Sequence, residues 1–346
     1  MCELLGMSFN LPVRPKISFR KFRQRDGENP DGWGLAFYPD RSAQIFKEPL
    51  KATKSDLSGF LKDYPEVRSK IIIGHVRKTA QGSISHRNTQ PFSRELNRRE
   101  YVFAHNGRRI NPRQLGLTSL ELGRFQPIGE TGSEHAFCHL LKCIEERNIK
   151  QWKENDFPWL AQKLREMNKY AALNVVFSDS LHLFCYHDKD CYKGLHLLQR
   201  KAPYHTFKLS DKDWNISFPM TKDPNQYGYI IATQPLTGEN WKPFAPGELI
   251  VFRNGELIYS SLTRDPVEIK VLTLLRSSEH RLSLQQIIQN LQYSRNKTIK
   301  AVQSLLNKRL IKQDGRDIVN WNNERATFYT VPERRREIDK LCQEKC

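Results

Sequence analysis

The feature that most constrains the fold is a change of pattern near residue 262. Before it, the chain consists mainly of short β-prone runs separated by Gly, Pro, Asn and Asp, residues that mark turns between strands. Helical patterns interrupt these runs at residues 55–62, 133–146 and 159–169. Because strands and helices do not alternate strictly, this part predicts an α+β layered domain and not a nucleotide-binding Rossmann fold. The runs that predict strands most clearly are residues 34–38, 70–76, 101–104, 173–178, 181–186 and 229–233.

The chain after residue 263 has a different texture. Three short segments show helical apolar periodicity, and the second begins with Ser283 and Gln286 in capping-box spacing. A turn signal at Asp314-Gly315 and two β-prone runs, residues 318–321 and 326–331, come next. Three helices and a hairpin are typical of a winged helix. The predicted domains are therefore residues 1–262, a winged-helix-like domain at 263–332 and a basic tail at 333–346.

Composition narrows the class of protein. The 346 residues include 56 Lys and Arg against 38 Asp and Glu, a formal charge of +18, which favours anionic partners but suits a merely basic enzyme equally well. No apolar run approaches the roughly 18 residues that a membrane-spanning helix needs, and the N-terminus lacks a secretory pattern. We expect a cytoplasmic protein that does not contact a membrane and whose seven cysteines are free thiols.

Cys2 is the first candidate catalytic residue. If Met1 is removed, Cys2 carries both a thiol and a free α-amine, so one residue supplies a nucleophile and a base. The two groups have reference pKa values of roughly 8.5 and roughly 8, close enough for the amine to accept the thiol proton near neutral pH. A lone Cys2 would carry no function, so the prediction depends on the residues that accompany it.

Several motifs accompany Cys2 in a fixed order: Cys2-Glu3-Leu4-Leu5-Gly6-Met7, Asp31-Gly32-Trp33-Gly34, Gly74-His75-Val76-Arg77, Asn88-Thr89-Gln90-Pro91-Phe92, Ala104-His105-Asn106-Gly107, Gly129-Glu130-Thr131, Ser133-Glu134 and Ala232-Thr233-Gln234-Pro235-Leu236-Thr237-Gly238. In this set, residues 1–262 resemble the class II glutamine amidotransferases, most closely their stand-alone YafJ-like members. The resemblance implies a four-layer αββα sandwich of the N-terminal-nucleophile hydrolase type. It also implies a glutamine or γ-glutamyl substrate, a reaction without metal or cofactor, and a separate acceptor or synthase protein as a candidate partner.

Amide hydrolysis gives individual residues their expected roles. Attack on a carboxamide creates an oxyanion, and the Asn106 side-chain amide with the Gly107 backbone N–H would stabilise it. Arg77 offers a planar fork for the α-carboxylate of a glutamyl group. The resemblance implies the same assignments.

One position departs from the family pattern Gly-x-Thr-Asp-Ser-Glu, whose Asp binds the substrate α-ammonium. Here Gly132 stands in place of that Asp, and losing a charge-assisted contact costs about 1.5–3 kcal/mol, or on the order of ten- to hundredfold in binding. Three outcomes follow. Glu130 or Glu134 substitutes for the missing Asp, the substrate is a γ-glutamyl compound without a free ammonium, or the domain has become a weakly binding sensor.

Basic residues in the C-terminal domain indicate what such a sensor would bind. The third C-terminal helix presents Arg295, Lys297 and Lys300 on its polar side, so the alternative to an enzyme is a metabolite-sensing regulator that binds DNA. Docking to a protein is the other function open to this domain. A second basic set either attracts anions to the pocket or forms a solvated rim: Arg108, Arg109 and an early loop containing Arg14, Lys16, Arg20, Lys21, Arg23 and Arg25.

Overall fold

The computed structural model describes residues 2–24, 30–79, 82–108, 122–202, 208–211, 214–217, 223–262, 266–291, 293–314, 326–335, 338–339 and 342. It divides into two compact units. The first comprises Met1–Trp152 and Gln162–Tyr259, and the second comprises Lys153–Ala161 and Ser260–Cys346.

The helices in chain order are α1 (Lys16–Arg23), α2 (Asp56–Asp63), α3 (Gly132–Glu146), α4 (Phe157–Met167), α5 (Pro266–Ser277), α6 (Leu284–Leu291) and α7 (Arg295–Asn307). The strands are β1 (Glu3–Val13), β2 (Gly32–Phe37), β3 (Gln44–Glu48), β4 (Ser69–Arg77), β5 (Phe92–Leu96), β6 (Arg99–Asn106), β7 (Asn174–Ser178), β8 (His182–Tyr186), β9 (His196–Arg200), β10 (Lys208–Asp211), β11 (Trp214–Ser217), β12 (Gly228–Ala232), β13 (Lys242–Pro243), β14 (Leu249–Arg253), β15 (Glu256–Ser260), β16 (Leu282–Ser283), β17 (Ile311–Gln313) and β18 (Thr327–Thr330).

Two sheets form the frame of the first unit. A seven-stranded sheet has the order β13-β9-β12-β1-β4-β2-β3, and a six-stranded sheet has the order β15-β14-β8-β7-β6-β5. Strand β1 pairs antiparallel with both β12 and β4, so Cys2 lies at one end of a central strand. Strand β6 pairs antiparallel with β7 in the other sheet.

Apolar side chains alternate between the two faces of these strands and so define the layers. Leu4 and Ile73 from one sheet meet Val102 and Val176 from the other in an interior cluster. On the outer face of the seven-stranded sheet, Phe19 and other apolar residues of α1 and α2 join a second cluster. Helix α3 covers the other sheet, where the rings of Phe103 and Phe137 stack with centroids 5.0 Å apart. The order is therefore helix, sheet, sheet, helix.

The second unit contains α5, α6, α7 and a small antiparallel sheet with the order β16-β18-β17. Its core includes Val271, Val302 and Phe328, all fully buried. The predicted capping box is confirmed, because Ser283 N donates to Gln286 Oε1 (2.8 Å) and Gln286 N donates to Ser283 Oγ (3.2 Å). The predicted strand at residues 318–321 lies outside the described residues, and in the described part β18 pairs with β16 and β17. No helix among the described residues is long and apolar enough to cross a membrane.

Most sequence-predicted elements are confirmed within a few residues, including the strands now seen as β2, β4, β6, β7, β8 and β12. The prediction of an early basic loop is wrong, because Lys16–Arg23 forms α1. Phe19 and Phe22, three positions apart, lie on one face of this helix and are buried. Arg14 and Arg23 donate to backbone or hydroxyl oxygens of Asp63, Ala52 and Ser58, so these two arginines serve the fold.

Candidate active site

Cys2 lies directly before β1, beside the end of β4. The Lys78 backbone N–H donates to Cys2 Sγ (3.3 Å), and the thiol lies 3.4 Å from the Lys78 carbonyl oxygen. Burial raises the pKa of the Cys2 thiol, while the Lys78 hydrogen bond and the positive charge of Arg77 lower it. The thiol is therefore mostly protonated near neutral pH, and a base must remove its proton before attack.

Arg77 ends β4 and is almost fully buried, with 3% of its surface exposed. Its two terminal nitrogens each lie 3.3 Å from the Ser83 carbonyl oxygen. Burial lowers the pKa of Arg77, whereas the negative charges of Cys2 and Asp31 raise it. Asp31 is itself held in place, because its Oδ2 accepts from Thr79 N (2.6 Å) and its N–H donates to the Arg77 carbonyl (3.2 Å). The guanidinium is thus a fixed positive charge close to the thiol.

Asn106 ends β6 and is 1% exposed. Its Nδ2 lies 3.5 Å from Thr233 Oγ1, and the same hydroxyl oxygen accepts from Leu4 N (2.8 Å). Thr233 therefore connects the start of the Cys2 strand to the Asn106 amide. Sequence reasoning included Thr233 in a motif without giving it a role, since only the pairing of β1 with β12 brings it to this position.

Gly107 follows Asn106 at a point that admits no side chain. A Cβ built on Gly107 would lie 2.0 Å from the Ala172 carbonyl oxygen and 2.2 Å from His105 Nε2. The close approach of the Ala172 backbone and the His105 ring therefore requires glycine here.

Two buried histidines, His75 and His105, lie close to the candidate active site. His105 Nε2 faces the Ala172 carbonyl (3.1 Å) and its Nδ1 faces Ser133 Oγ (2.9 Å), so Nε2 carries the proton and Nδ1 accepts from the serine. Burial lowers the pKa of His105 to about 4 and that of His75 to about 3. Neither ring is charged near neutral pH. His75 therefore adds no positive charge near the buried Arg77 guanidinium.

Gly132 begins α3, whose N-terminal cap is Thr131. The neighbouring Ser133 contacts His105, so this helix end lies close to Asn106 and Gly107. Glu134, one of the two candidate substitutes for the missing Asp, is 1% exposed. Its Oε1 accepts from Arg94 (2.5 Å) and Ile128 N (3.0 Å), and its Oε2 accepts from Gly129 N (2.7 Å). Both oxygens are engaged in holding the loop before α3.

Glu130 is the other candidate substitute and is half exposed. It forms an ion pair with Arg87 and accepts from Ser83 N (3.3 Å). Hydrogen bonding from Ser83 and the charge of Arg87 lower the pKa of Glu130. Because the Ser83 carbonyl also accepts from Arg77, Glu130 contacts the loop that lines the arginine.

The residues proposed from the sequence to bind nucleic acid belong to the second unit. Arg295, Lys297 and Lys300 are exposed on α7 in the second unit, and Lys297 Nζ lies 5.3 Å from the Tyr293 ring centroid. Among the described residues, no group of three or more His, Cys, Asp or Glu side chains is arranged to hold a metal ion. Arg109 lies outside the described residues.

Two stacked antiparallel sheets flanked by helices, with a cysteine at the start of a central strand, define an N-terminal-nucleophile-hydrolase-like fold. The model of the class II glutamine amidotransferases matches residues 1–272, and the chain belongs to this family.

Individual relatives agree with this assignment. An uncharacterized protein of Methanocaldococcus jannaschii is 46% identical over 98% of this chain and 96% of its own length. YafJ of Escherichia coli is 37% identical over 75% of this chain and all of its own length. A crystal structure described as a predicted glutamine amidotransferase from Pseudomonas aeruginosa is 30% identical, with a TM-score of 0.54, and covers 75% of this chain and all of its own.

Proposed function

We propose that the chain is a γ-glutamyl amidohydrolase, or the glutaminase component of an amidotransferase whose acceptor is bound by a separate protein. Cys2 is the nucleophile after removal of Met1. The observation that carries the proposal is the convergence of three groups from different strands: the Cys2 thiol, the buried Arg77 guanidinium and the Asn106 amide. Family membership supports the same chemistry.

The reaction follows from these groups. The α-amine of Cys2 accepts the thiol proton, and the thiolate attacks the γ-carbonyl carbon of the substrate. The Asn106 amide and the Gly107 N–H stabilise the oxyanion of the tetrahedral intermediate. Its collapse breaks the C–N bond, and the amine leaves with the proton held by the α-amine. Water then attacks the glutamyl thioester, which releases glutamate and restores the thiol.

Substrate recognition has one assigned contact and one open position. Arg77 binds the α-carboxylate through its planar fork. At the α-ammonium side, Gly132 offers no side chain, and the three hydrogen bonds accepted by Glu134 argue against its substituting for an Asp. A role for Glu130 and a substrate without a free α-ammonium remain the two alternatives for an enzyme.

Labelling of the nucleophile tests this function directly. Intact mass first establishes that Met1 is absent, and the protein is then treated with a diazoketone analogue of glutamine. We expect one adduct on Cys2, none in Cys2→Ser, and full labelling in Cys191→Ser, which removes an exposed cysteine as the matched control. A retained Met1, or an adduct on Cys191 in place of Cys2, would contradict the proposal.

A substrate panel tests the open position. Glutamine and N-acetylglutamine are compared in the wild type and in Gly132→Asp. If the substrate lacks a free ammonium, the wild type prefers N-acetylglutamine and Gly132→Asp shifts the preference to glutamine by about ten- to hundredfold. An unchanged preference would show that residue 132 does not contact this end of the substrate.

The regulator remains a second proposal, because α7 exposes Arg295, Lys297 and Lys300 in a unit of three helices and a small sheet that resembles a winged helix. Binding to duplex DNA should then fall steeply with salt. It should also weaken in a Lys297→Ala/Lys300→Ala variant and persist in Lys150→Ala, a control at an exposed lysine of the first unit. Binding that is absent or insensitive to both salt and the double substitution would exclude DNA as the partner.

A further inference from the structure

Arg108 and Tyr192 form a stacked pair beside the nucleophile. Arg108 follows Gly107 in the chain and is exposed, and its guanidinium carbon lies 5.4 Å from the centroid of the Tyr192 ring. This geometry is that of a cation–π contact. No step of the proposed reaction uses either side chain.

The loop that carries Tyr192 is fixed by a buried carboxylate. Asp188 is fully buried, and its Oδ1 accepts from the N–H groups of Asp190 (2.9 Å) and Tyr192 (3.1 Å). Its Oδ2 accepts from Asn168 Nδ2 (2.6 Å) and Leu173 N (2.7 Å). Two of these bonds fix the backbone of the turn at Asp190 and Tyr192, and the other two attach it to the segment that precedes β7.

The same loop is attached to the strands that carry the oxyanion residues. Asn174 is the pairing partner of Asn106 across β6 and β7, and its Nδ2 donates to the Tyr192 carbonyl (2.5 Å). Burial and the negative charge of a Cys2 thiolate raise the pKa of Tyr192, whereas Arg108 lowers it. The phenol ring therefore lies within electrostatic reach of the nucleophile.

The two arginines of the site come from different sheets and differ in burial. Arg77 ends β4 of the seven-stranded sheet and is buried, whereas Arg108 follows β6 of the six-stranded sheet and is exposed. The amine released in the first half of the reaction must depart toward solvent, which is the side of Arg108.

We propose that Arg108 and Tyr192 form a second anion subsite, which binds a carboxylate on the leaving amine. This inference rests on the proposed function. The preferred substrates are then γ-glutamyl amino acids or peptides, in which one carboxylate binds Arg77 and the other, beyond the scissile amide, binds Arg108. The Tyr192 ring holds the guanidinium and provides an apolar surface under the substrate chain.

Calorimetric titration of full-length Cys2→Ala measures this subsite without turnover. The probes are γ-glutamylglycine and γ-glutamylglycinamide, which differ only in the terminal carboxylate. We expect the acid to bind about ten- to hundredfold more tightly than the amide. Adding Arg108→Gln should reduce this ratio to about 1. Arg124→Gln is the matched control, because Arg124 is also half exposed and stacked on an aromatic ring, 4.5 Å from the Phe125 centroid, and it should leave the ratio unchanged.

Tyr192 is tested in the same background. Tyr192→Phe keeps the ring and should keep the selectivity, whereas Tyr192→Leu should lose most of it. Equal affinity for acid and amide in Cys2→Ala, binding of neither probe, or selectivity that survives Arg108→Gln would overturn the proposal.

Turnover by the wild type separates this inference from the proposed function. Selective binding without hydrolysis of either dipeptide or of glutamine would refute the hydrolase and leave the subsite standing. Hydrolysis of acid and amide with equal kcat/KM would refute the subsite and leave the hydrolase standing.

Discussion

Replacement of Glu134 by Gln distinguishes a structural carboxylate from a substrate-binding one. The side chain lies in the first turn of α3, next to Gly132, where sequence reasoning made it a candidate partner for a substrate ammonium. The structure instead surrounds it with donors from Arg94, Ile128 and Gly129. Gln has almost the same shape, so the substitution changes charge and hydrogen bonding without creating a cavity.

The cost can be worked from the three accepted hydrogen bonds. A Gln amide keeps one acceptor oxygen but places an NH₂ group where the other oxygen was, so it faces a backbone N–H or the Arg94 guanidinium. An unsatisfied buried donor costs about 1–3 kcal/mol, and a hydrogen bond to a charged partner contributes about 1.5–3 kcal/mol. We therefore expect Glu134→Gln to lower the free energy of unfolding by about 3–5 kcal/mol.

Urea unfolding followed by tryptophan fluorescence measures this change. Glu145→Gln is the matched control, because Glu145 is on the same helix and also pairs with an arginine (Arg124, 2.7 Å), but its side chain is 42% exposed. Exposed pairs contribute about 0–1 kcal/mol, so the control should unfold almost like the wild type. If Glu134→Gln keeps full stability and instead raises KM for a γ-glutamyl substrate, Glu134 contacts substrate and the structural argument is wrong.

Two further predictions concern the residues around the oxyanion site. Gly107→Ala should reduce kcat by at least about tenfold. Its Cβ would lie 2.0 Å from the Ala172 carbonyl oxygen, so the backbone N–H assigned to the oxyanion must move. A folded variant with wild-type kcat would contradict this. Stability should fall as the pH drops from about 6.5 toward 4, because His75 and His105 bind protons in the unfolded chain with pKa values of roughly 6.5 but in the folded chain only near 3 and 4. Each histidine then contributes up to about 3 kcal/mol of loss at pH 4, and His105→Gln should flatten the pH dependence measured by thermal unfolding.

The sequence predicts the regular elements well where local pattern and tertiary environment agree. Residues 71–76 and 101–104 are buried on both faces, and their apolar runs indicate strands directly. The helix Lys16–Arg23 was missed because its charge density hides a short apolar face, which becomes visible only when Phe19 and Phe22 pack against the sheet. Strand β17 was missed because it has only three residues, of which only Ile311 is apolar.

The roles proposed for the site residues stay predictions, and the sequence supports some of them more directly than others. Residue type and position in the sequence suffice to propose Cys2 and Asn106, because a thiol beside an α-amine can act as a nucleophile and an amide N–H can stabilise an oxyanion. The sequence does not reveal that the Glu134 carboxylate accepts three hydrogen bonds, because its donors lie outside α3. Tyr192 is equally invisible, because the buried Asp188 that positions it has no signature at the level of spacing.

The positions of the arginines in the structure change the interpretation of the formal charge of +18. Arg94 and Arg200 pair with Glu134 and Glu239 and are mostly buried, and Arg77 is buried beside the thiol. These cations stabilise the fold or belong to the candidate active site, and their burial limits their attraction for distant anions. Charge that can recruit a ligand must come from exposed residues, which include Arg108 at the site. The basic net charge by itself therefore does not indicate a nucleic-acid partner for this protein. The binding experiments on α7 and on Arg108 test two separate sets of exposed basic residues.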